Sequence, residues 1–160
     1  MRRLRHPGGA ADPGPDADGR IVGLRVSSGL TLPHGLAERM VEHARAELPN
    51  EACALLGGDA DLGRVSSLHL ARNRLGSPYR YDVDPDDLVR IVHEIEARGE
   101  ELVAIFHSHP ATPAIPSPAD LREARYPVVH LVASVAGGSA DLRAWRLAGG
   151  EAAEVQLTVE

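Results

Sequence analysis

The sequence predicts a mixed α/β fold in which helices pack on a β-sheet that contains both parallel and antiparallel strands. Amphipathic helical segments separate some of the predicted strands, which favours parallel pairing, whereas short turns join others, which favours hairpins. The composition agrees with this class, because 43% hydrophobic and 25% charged residues in a chain of 160 are close to the average of soluble globular domains. The length fits one domain with one buried core.

The predicted domain begins after an N-terminal tail. Residues 1–20 are rich in Gly, Pro and Asp and lack hydrophobic periodicity, so we expect them to be disordered and residues 21–160 to form the single domain. The arginines near the N-terminus are not followed by the apolar run of a signal peptide. The longest apolar stretch, residues 128–136, is less than half of the ~20 residues that a membrane-spanning helix needs. These features predict a cytoplasmic protein without a membrane partner.

In the first half of the domain, the pattern predicts one helix between β-strands. Pro33 begins the helix, whose apolar residues recur every three or four positions, and Pro49 ends it. The predicted strands are residues 21–32, which could also form a hairpin, and then residues 51–56 and 64–70. Gly57 and Gly58 follow residues 51–56, and we interpret this pair as the turn that closes the strand. The last two strands are expected to pair as a hairpin.

The second half is predicted to contain two further helices. Residues 79–83 form a short extended segment, after which Asp84 and Pro85 begin a helix that ends at residues 98–99. Ser117 and Pro118 begin the third helix. The remaining predicted strands are residues 102–106, 128–135, 141–147 and 154–159. This order gives a mixed sheet flanked by helices.

The charged and sulfur-containing residues exclude several kinds of chemistry. All 17 basic residues are arginines, so no lysine amine is present for a Schiff base. The net charge of -6 disfavours binding to nucleic acid. The single cysteine, Cys53, excludes an intramolecular disulfide and a cysteine-based zinc finger, and it fits a reducing compartment. A metal site in this chain therefore has to be built from histidines and carboxylates.

Two histidines and an aspartate have the spacing of a metal site. His107 and His109 follow a buried strand, and residues two apart in an extended segment point to the same side. Asp120 comes eleven residues after His109, in the first turn of the helix that Ser117 and Pro118 begin. Two imidazoles and one carboxylate leave the fourth tetrahedral position of a zinc ion open for water. This arrangement is typical of hydrolytic sites and not of structural ones.

Two further residues are candidates for the catalytic chemistry. Glu51 begins a buried strand and is the candidate general acid/base, although it could also be the polar residue that follows a helix end. Ser117 could donate a hydrogen bond to the oxyanion of the attacked carbonyl, or it could only cap the helix in a capping box with Asp120. Cys53 could lie near the metal, but we favour a small buried hydrophobic residue.

The other histidines have no second ligand at a typical spacing, and we interpret them as packed or solvated side chains. They are His6, His34, His43, His69, His93 and His130. A hydrolase based on Cys53 and a histidine is disfavoured, because it leaves Asp120 and the paired histidines unexplained.

The order Glu51, His107-Ser108-His109, seven residues, Ser117, two residues and Asp120 resembles the motif of the JAMM (MPN-plus) metalloproteases. The resemblance extends over roughly residues 30–147, because residues 49–53, 55–58 and 79–84 also have their expected positions. Ala54 differs from the glycine that is common in the family. The resemblance implies one zinc ion per chain on His107, His109 and Asp120, with Glu51 as general acid/base and Ser117 in oxyanion stabilisation. It also implies a three-layer fold like that of cytidine deaminases.

Within this family the chain is similar to a compact bacterial branch, because its segments have no space for the large insertions of eukaryotic relatives. The resemblance implies a peptidase or isopeptidase that cuts after the C-terminal tail of a ubiquitin-like or sulfur-carrier protein, including release of cysteine in cysteine biosynthesis. A cleft at a sheet edge could bind such a tail by strand addition, with residues 79–83 as one wall. One alternative is a DNA-repair-associated relative. That relative has a helical N-terminal module, which residues 1–20 cannot supply. Another is a metal-free scaffold, a class that usually lacks one of the ligands.

Overall fold

The computed structural model describes residues 29–160, so the predicted tail of residues 1–20 and the first part of the segment 21–32 lie outside the described residues. The described part contains seven strands and three helices. The helices are α1 (His34–Ala46), α2 (Pro85–Ala97) and α3 (Pro118–Glu123). The strands are β1 (Gly29–Leu32), β2 (Cys53–Asp59), β3 (Arg64–Ala71), β4 (Glu101–His109), β5 (Val129–Ser134), β6 (Asp141–Ala148) and β7 (Glu151–Val159).

The strands form one mixed sheet, as the sequence predicts. β2 pairs antiparallel with both β3 and β4, β4 pairs parallel with β5, and β5, β6 and β7 continue in antiparallel pairs. β1 pairs parallel with β3 and with β7, and it thereby closes the sheet into a barrel. The sequence did not predict this closure, because it depends on pairing between strands that are distant in the chain. The layer arrangement of cytidine deaminases stays a prediction.

Alternation along β2 separates two apolar clusters. Ala54 and Leu56 point into the larger cluster, in which α1 buries Met40 and Ala44. Cys53 and Leu55 point to the opposite face of the sheet and join a smaller cluster beneath α2. The helices therefore cover both faces of β2, and β4 beside it is fixed from both sides. This matters because the candidate metal ligands lie at the end of β4.

The predicted turn at Gly57 and Gly58 is wrong. β2 continues through both glycines to Asp59, and the chain turns at residues 60–63. The pair is needed inside the strand because the space around it is already filled. A Cβ atom at Gly57 would lie 2.7 Å from Ser67 Oγ, and one at Gly58 would collide with the backbone carbonyl of Arg64. The pairing of β2 with β3 shifts register between the two glycines, which is the irregularity that glycine often marks in a strand.

Two boundaries also differ from the expectation near the candidate site. Residues 79–83 are not a strand: a single bridge joins Val83 to Asn73, and the rest of the segment is a loop. Glu51 lies two residues before β2 and not inside it. Pro78 and the hydrogen bonds that the loop makes to a side chain of Asn73 replace regular strand pairing.

Within residues 29–160, none of the helices combines the length and the apolar character that crossing a membrane requires.

We predict that Gly58→Ala lowers the free energy of unfolding by about 1–3 kcal/mol or more, because the new methyl group forces the β2–β3 pairing apart. Gly35→Ala is the matched control, since a Cβ atom added at Gly35 in α1 would have no other atom within 4 Å and alanine favours the helix. Urea denaturation of both variants measures the difference. Equal stabilities would contradict the close approach of Arg64 to Gly58.

Candidate metal centre

The three predicted ligands meet at one end of the sheet. His107 and His109 lie at the C-terminal end of β4, and Asp120 lies in the first turn of α3. Asp120 Oδ2 is 3.0 Å from His107 Nε2 and 3.1 Å from His109 Nε2, and the two Nε2 atoms are 3.2 Å apart. Each of the three side chains is buried. Among residues 29–160 these three form the one group of three or more His, Cys, Asp or Glu side chains that is close enough together to bind a metal ion.

The separations of these atoms fit a tetrahedral zinc ion. Ligand atoms at about 2.0–2.1 Å from a tetrahedral zinc are about 3.3 Å from each other. The three observed separations of 3.0, 3.1 and 3.2 Å are close to that edge length. Two imidazoles and a carboxylate are also the donors that zinc prefers in hydrolytic sites, so the residues present fit this metal.

Both imidazoles turn Nε2 towards the centre, and both rings have contacts on their other side. His109 Nδ1 lies 2.8 Å from the carbonyl oxygen of Pro113, and a proton donated there leaves the Nε2 lone pair free for a metal. The ring of His107 stacks on Tyr81, with ring centroids 4.5 Å apart and an interplanar angle of 17°. Tyr81 was not predicted from the sequence as a residue of the site, although it lies in the segment 79–83 that was expected to border it.

The loop between β4 and α3 is fixed to the sheet, which sets the position of Asp120. Trp145 Nε1 donates to the carbonyl of Ala114 at 3.0 Å, and Ser134 Oγ donates to the carbonyl of Thr112 at 2.7 Å. Together with the contact between Pro113 and His109, these bonds anchor three residues of a short proline-containing loop. The helix that carries Asp120 therefore begins at a defined place.

Ser117 and Asp120 form the capping box that the sequence allowed as one alternative. Ser117 Oγ accepts a hydrogen bond from the Asp120 backbone N–H at 3.1 Å, and Asp120 Oδ2 accepts one from the Ser117 N–H at 2.8 Å. Because the serine oxygen accepts in this cap, its own O–H can still donate to another group. The cap therefore leaves the proposed oxyanion contact of Ser117 available.

Hydrogen bonding and burial shift the pKa values of the ligands in different directions. Burial raises the pKa of Asp120, but its bonds to His107 and His109 outweigh this effect and bring it well below the usual range. Burial lowers the pKa of His107. Burial also lowers the pKa of His109, but the hydrogen bonds to Asp120 and Pro113 raise it by more, so the net shift is upward. The carboxylate thus stays charged, which suits a ligand for a cation.

Glu51 lies beside the three ligands with an unpaired carboxyl oxygen. Its Oε1 is 4.0 Å from His109 Nε2, its Oε2 is buried without a hydrogen-bond partner, and 3% of the residue is exposed. Burial raises the pKa of Glu51 to about 8, the positive charge of His109 lowers it, and the charge of Asp120 raises it further. A carboxyl group with a pKa near neutrality can take up and release a proton, as general acid/base catalysis requires.

Ser108, the residue between the two histidines, ties the Glu51 segment to the ligand strand. Ser108 Oγ accepts a hydrogen bond from the Ala52 N–H at 2.8 Å, and the Ser108 N–H donates to the Ala52 carbonyl at 3.0 Å. Ser108 is fully buried. Its role was not predicted, because the sequence does not reveal that Ala52 and Ser108 are neighbours. The distance from Glu51 to His109 depends on these two bonds.

A cleft of about 630 Å³ opens onto Glu51, His109 and Ser117. Its other lining residues are mostly apolar: Leu48, Pro49, Pro78, Tyr79, Pro110, Ala111 and Thr112. Tyr79 is 81% exposed and forms one wall, where the segment 79–83 was expected to be. A second groove of about 640 Å³ between β6 and β7 contains none of the candidate ligands. Of these two cavities, only the first is lined by candidate site residues.

Cys53 is a buried apolar residue, as the sequence interpretation favoured. It pairs with His107 across β2 and β4, but its Sγ contacts the Ala71 carbonyl at 3.8 Å within the cluster beneath α2. Burial raises the pKa of its thiol to about 12, which disfavours the thiolate that would bind a metal.

Three of the other histidines make contacts away from the candidate metal centre. His43 and His69 make hydrogen bonds, and His34 pairs with Glu38. His6 lies outside the described residues.

The buried carboxyl group of Glu51 predicts that the free energy of unfolding of the metal-free protein depends on pH. Because the pKa of Glu51 rises from 4.5 to about 8 on folding, its contribution to the free energy of unfolding is fully favourable below pH 4.5 and is lost as the pH rises to 8. We expect the stability of the wild type to fall relative to Glu51→Gln, with a slope of at most about 1.4 kcal/mol per pH unit in this window. Denaturation of both chelator-treated proteins from pH 4.5 to 9 measures it. Parallel stability curves would show that Glu51 titrates normally.

Comparison with known proteins identifies the family of this chain. Residues 33–148 match the model of the prokaryotic homologs of the JAB domain. The chain is 33% identical to a desampylase of Haloferax volcanii, over 84% of this chain and 99% of the relative. It is 37% identical to a probable TtuB-protein conjugate cleaving protease of Thermus thermophilus, over 81% of this chain and 82% of the relative.

Two further similarities extend this result. The chain is 33% identical to a CysO-cysteine peptidase of Mycobacterium bovis, over 81% of this chain and 90% of the relative. The solution structure of protein DSY2949 from Desulfitobacterium hafniense is 33% identical, with a TM-score of 0.76 over 82% of this chain and 92% of the other. The resemblance to JAMM proteins is confirmed, and the chain belongs to the family of prokaryotic JAB-domain homologs.

Proposed function

We propose that this chain is a zinc-dependent JAMM-type peptidase that hydrolyses the peptide or isopeptide bond after the C-terminal tail of a ubiquitin-like or sulfur-carrier protein. One observation carries the proposal. Three donor atoms of His107, His109 and Asp120 lie 3.0–3.2 Å from each other, and His109 lines a cleft together with the buried Glu51, whose Oε2 atom has no hydrogen-bond partner. A scaffold without activity has no use for a buried acid that costs stability.

His107, His109 and Asp120 would hold one zinc ion per chain. A bound zinc ion supplies Lewis acidity, which polarises the carbonyl of the substrate and makes water more acidic. The chain contributes the fixed geometry, because β4 orients both imidazoles and the capping box at Ser117 orients the carboxylate. This fixed arrangement removes the need to organise the ligands during the reaction.

Glu51 and Ser117 are proposed to carry out the proton transfer and the charge stabilisation. The Glu51 carboxylate takes the proton from the attacking water at its Oε atoms, and it then gives that proton to the nitrogen of the leaving amine. Ser117 O–H donates a hydrogen bond to the oxygen of the attacked carbonyl as negative charge develops there. Both side chains line the same cleft, which supports this division of roles.

The names of the relatives support the substrate class. One relative is named a probable TtuB-protein conjugate cleaving protease and another a CysO-cysteine peptidase, and both names refer to cleavage of a protein conjugate or adduct. The mostly apolar cleft suits an extended tail of small residues, since a glycine-rich chain can pass close to the metal ligands. Release of cysteine in cysteine biosynthesis is the specific reaction that we propose to test. A cytoplasmic location and the absence of a nucleic-acid partner stay predictions of the sequence.

We predict that the purified protein binds one zinc ion and that His109→Ala loses it, because two of three protein ligands cannot form a stable hydrolytic site. Metal analysis after gel filtration measures the stoichiometry. His69→Ala is the matched control, since this histidine contacts Glu94 and Ser67 and not the proposed centre. Zinc that remains stoichiometric in His109→Ala would overturn the ligand assignment.

We also predict that Glu51→Gln keeps zinc but loses ~10²- to 10⁴-fold in kcat, the usual contribution of general acid/base catalysis. The amide has nearly the shape of the carboxyl group but cannot accept the proton. Steady-state kinetics and metal analysis of the same preparation separate the two effects. Hydrolysis at the wild-type rate would remove Glu51 from the catalytic machinery.

A comparison of two substrates tests the reaction itself. The first is a folded sulfur-carrier protein with a C-terminal cysteine adduct, and the second is an unstructured peptide with the same last six residues. We expect selective release of cysteine from the folded carrier, because the tail contributes few side-chain contacts and the folded body supplies the remaining affinity. Equal cleavage of both substrates, or cleavage of neither, contradicts the carrier-processing function.

A further inference from the structure

The side chain of Asn73 joins the segment of Glu51 to the loop that borders the cleft. Asn73 lies two residues after the end of β3, and its carboxamide faces both regions. Asn73 Nδ2 donates to the backbone carbonyl of Glu51 at 3.1 Å and to that of Arg80 at 3.0 Å. Its Oδ1 accepts hydrogen bonds from the backbone N–H groups of Leu75 and Asp82, each at 3.1 Å.

These four bonds use the full capacity of an asparagine side chain. A carboxamide has two N–H donors and two acceptor lone pairs, and every one of them has a backbone partner here. Both partners of the nitrogen are carbonyls and both partners of the oxygen are N–H groups, so the orientation of the amide follows from the network. No other natural side chain of this length offers two donors and two acceptors at these positions.

The loop that Asn73 organises carries both tyrosines near the site. It is closed at its base by the backbone bonds from Arg74 N–H to Asp82 C=O at 2.8 Å and from Asp84 N–H to Arg72 C=O at 2.9 Å. Within it, Tyr79 forms a wall of the cleft and Tyr81 stacks on His107.

The loop also bonds to the other side of Glu51. The Glu51 N–H donates to the carbonyl of Ser77 at 2.8 Å, while the Glu51 carbonyl accepts from Asn73. The two backbone polar groups of Glu51 are thus both bonded to the region 73–83. Arg80 pairs with Glu123 of α3, so the loop is also connected to the helix that bears Asp120.

We propose that Asn73 is a positioning residue that fixes the Glu51 backbone and the Tyr79–Tyr81 loop in one rigid unit. It touches neither the cleft nor the metal ligands, and it acts through Glu51 on proton transfer and through Tyr79 on binding of the tail. The proposal rests on the proposed function in so far as Glu51 is the general acid/base. Its structural part, the connection between Glu51 and the loop, does not depend on catalysis.

Two variants and one matched control separate the contributions. Asn73→Asp keeps the acceptors for Leu75 and Asp82 but turns the donors to Glu51 and Arg80 into an oxygen that repels their carbonyls. Asn73→Ala removes all four bonds without adding a charge. Asn50→Asp is the control, because Asn50 is the only other asparagine in the sequence and directly precedes Glu51. It introduces the same charge beside Glu51 and leaves the network of Asn73 intact.

Hydrogen exchange of the zinc-loaded proteins tests the structural part. We expect faster exchange at the amides of Glu51, Leu75 and Asp82 in Asn73→Ala, with the amides of β5 unchanged and the zinc content of the wild type. In Asn73→Asp we expect the increase at Glu51 above all. Exchange at these amides that equals the wild type in both variants, or that Asn50→Asp reproduces, overturns the proposal.

Kinetics on the carrier protein with a C-terminal cysteine adduct tests the functional part. Asn73→Asp should lower kcat by at least tenfold and raise KM, whereas Asn50→Asp should change neither by more than a few-fold. In a Glu51→Gln background, Asn73→Asp should no longer lower kcat but should still raise KM, because the residue through which it acts on catalysis is already absent. If the double variant loses kcat by the product of the factors of the two single variants, Asn73 does not act through Glu51.

The outcomes also distinguish this inference from the proposed function. If Glu51→Gln is as active as the wild type, or if the wild type does not cleave the carrier, the proposed function fails. The hydrogen-exchange comparison then still decides whether Asn73 joins Glu51 to the loop. If the exchange result is negative while Glu51→Gln is inactive, the inference about Asn73 fails and the proposed function stands.

Discussion

Two imidazoles meet one buried carboxylate at the end of β4, and this contact determines how the surrounding elements have to be arranged. Asp120 lies 3.0–3.1 Å from the Nε2 atoms of His107 and His109 in a region from which water is largely excluded. Desolvation of these groups is costly unless each charge has a partner. β4 supplies both histidines from one face, and α3 supplies the carboxylate from its first turn. The anchored loop between these two elements makes the contact geometrically possible.

Burial of Glu51 beside this contact lowers the stability of the fold. Its Oε2 atom has no partner, and its pKa is raised to about 8, so burial of this group works against stability over much of the pH range. The surrounding backbone compensates by fixing the segment firmly, through Ser108 on one side and the region 73–83 on the other. Sites in which a polar group is left unpaired by such a rigid environment are typical of catalytic centres.

The sequence predicted the parts of this site that local rules determine. His107 and His109 could be placed on one face because strand periodicity acts over two residues, and the capping box joins Ser117 to Asp120 within one helical turn. Ser108, Tyr81 and Asn73 were missed because their partners lie far away in the chain, at Ala52, His107 and Glu51. The turn assigned to Gly57 and Gly58 failed for the same reason, since the atoms that require glycine there come from β3 and from Glu100. Closure of the barrel by β1 is likewise a long-range pairing.

The function proposed for this chain requires that the two histidines and the aspartate form a zinc site of mixed nitrogen and oxygen ligands. X-ray absorption spectroscopy at the zinc edge of the purified protein reports the type and distance of the ligand atoms, and it therefore probes this site without reference to activity. We expect only light atoms at about 2.0–2.2 Å, with the scattering pattern of two imidazole rings, and loss of the zinc signal in His107→Ala. A sulfur ligand at about 2.3 Å, or an unchanged spectrum in that variant, would rule out the proposed ligand set.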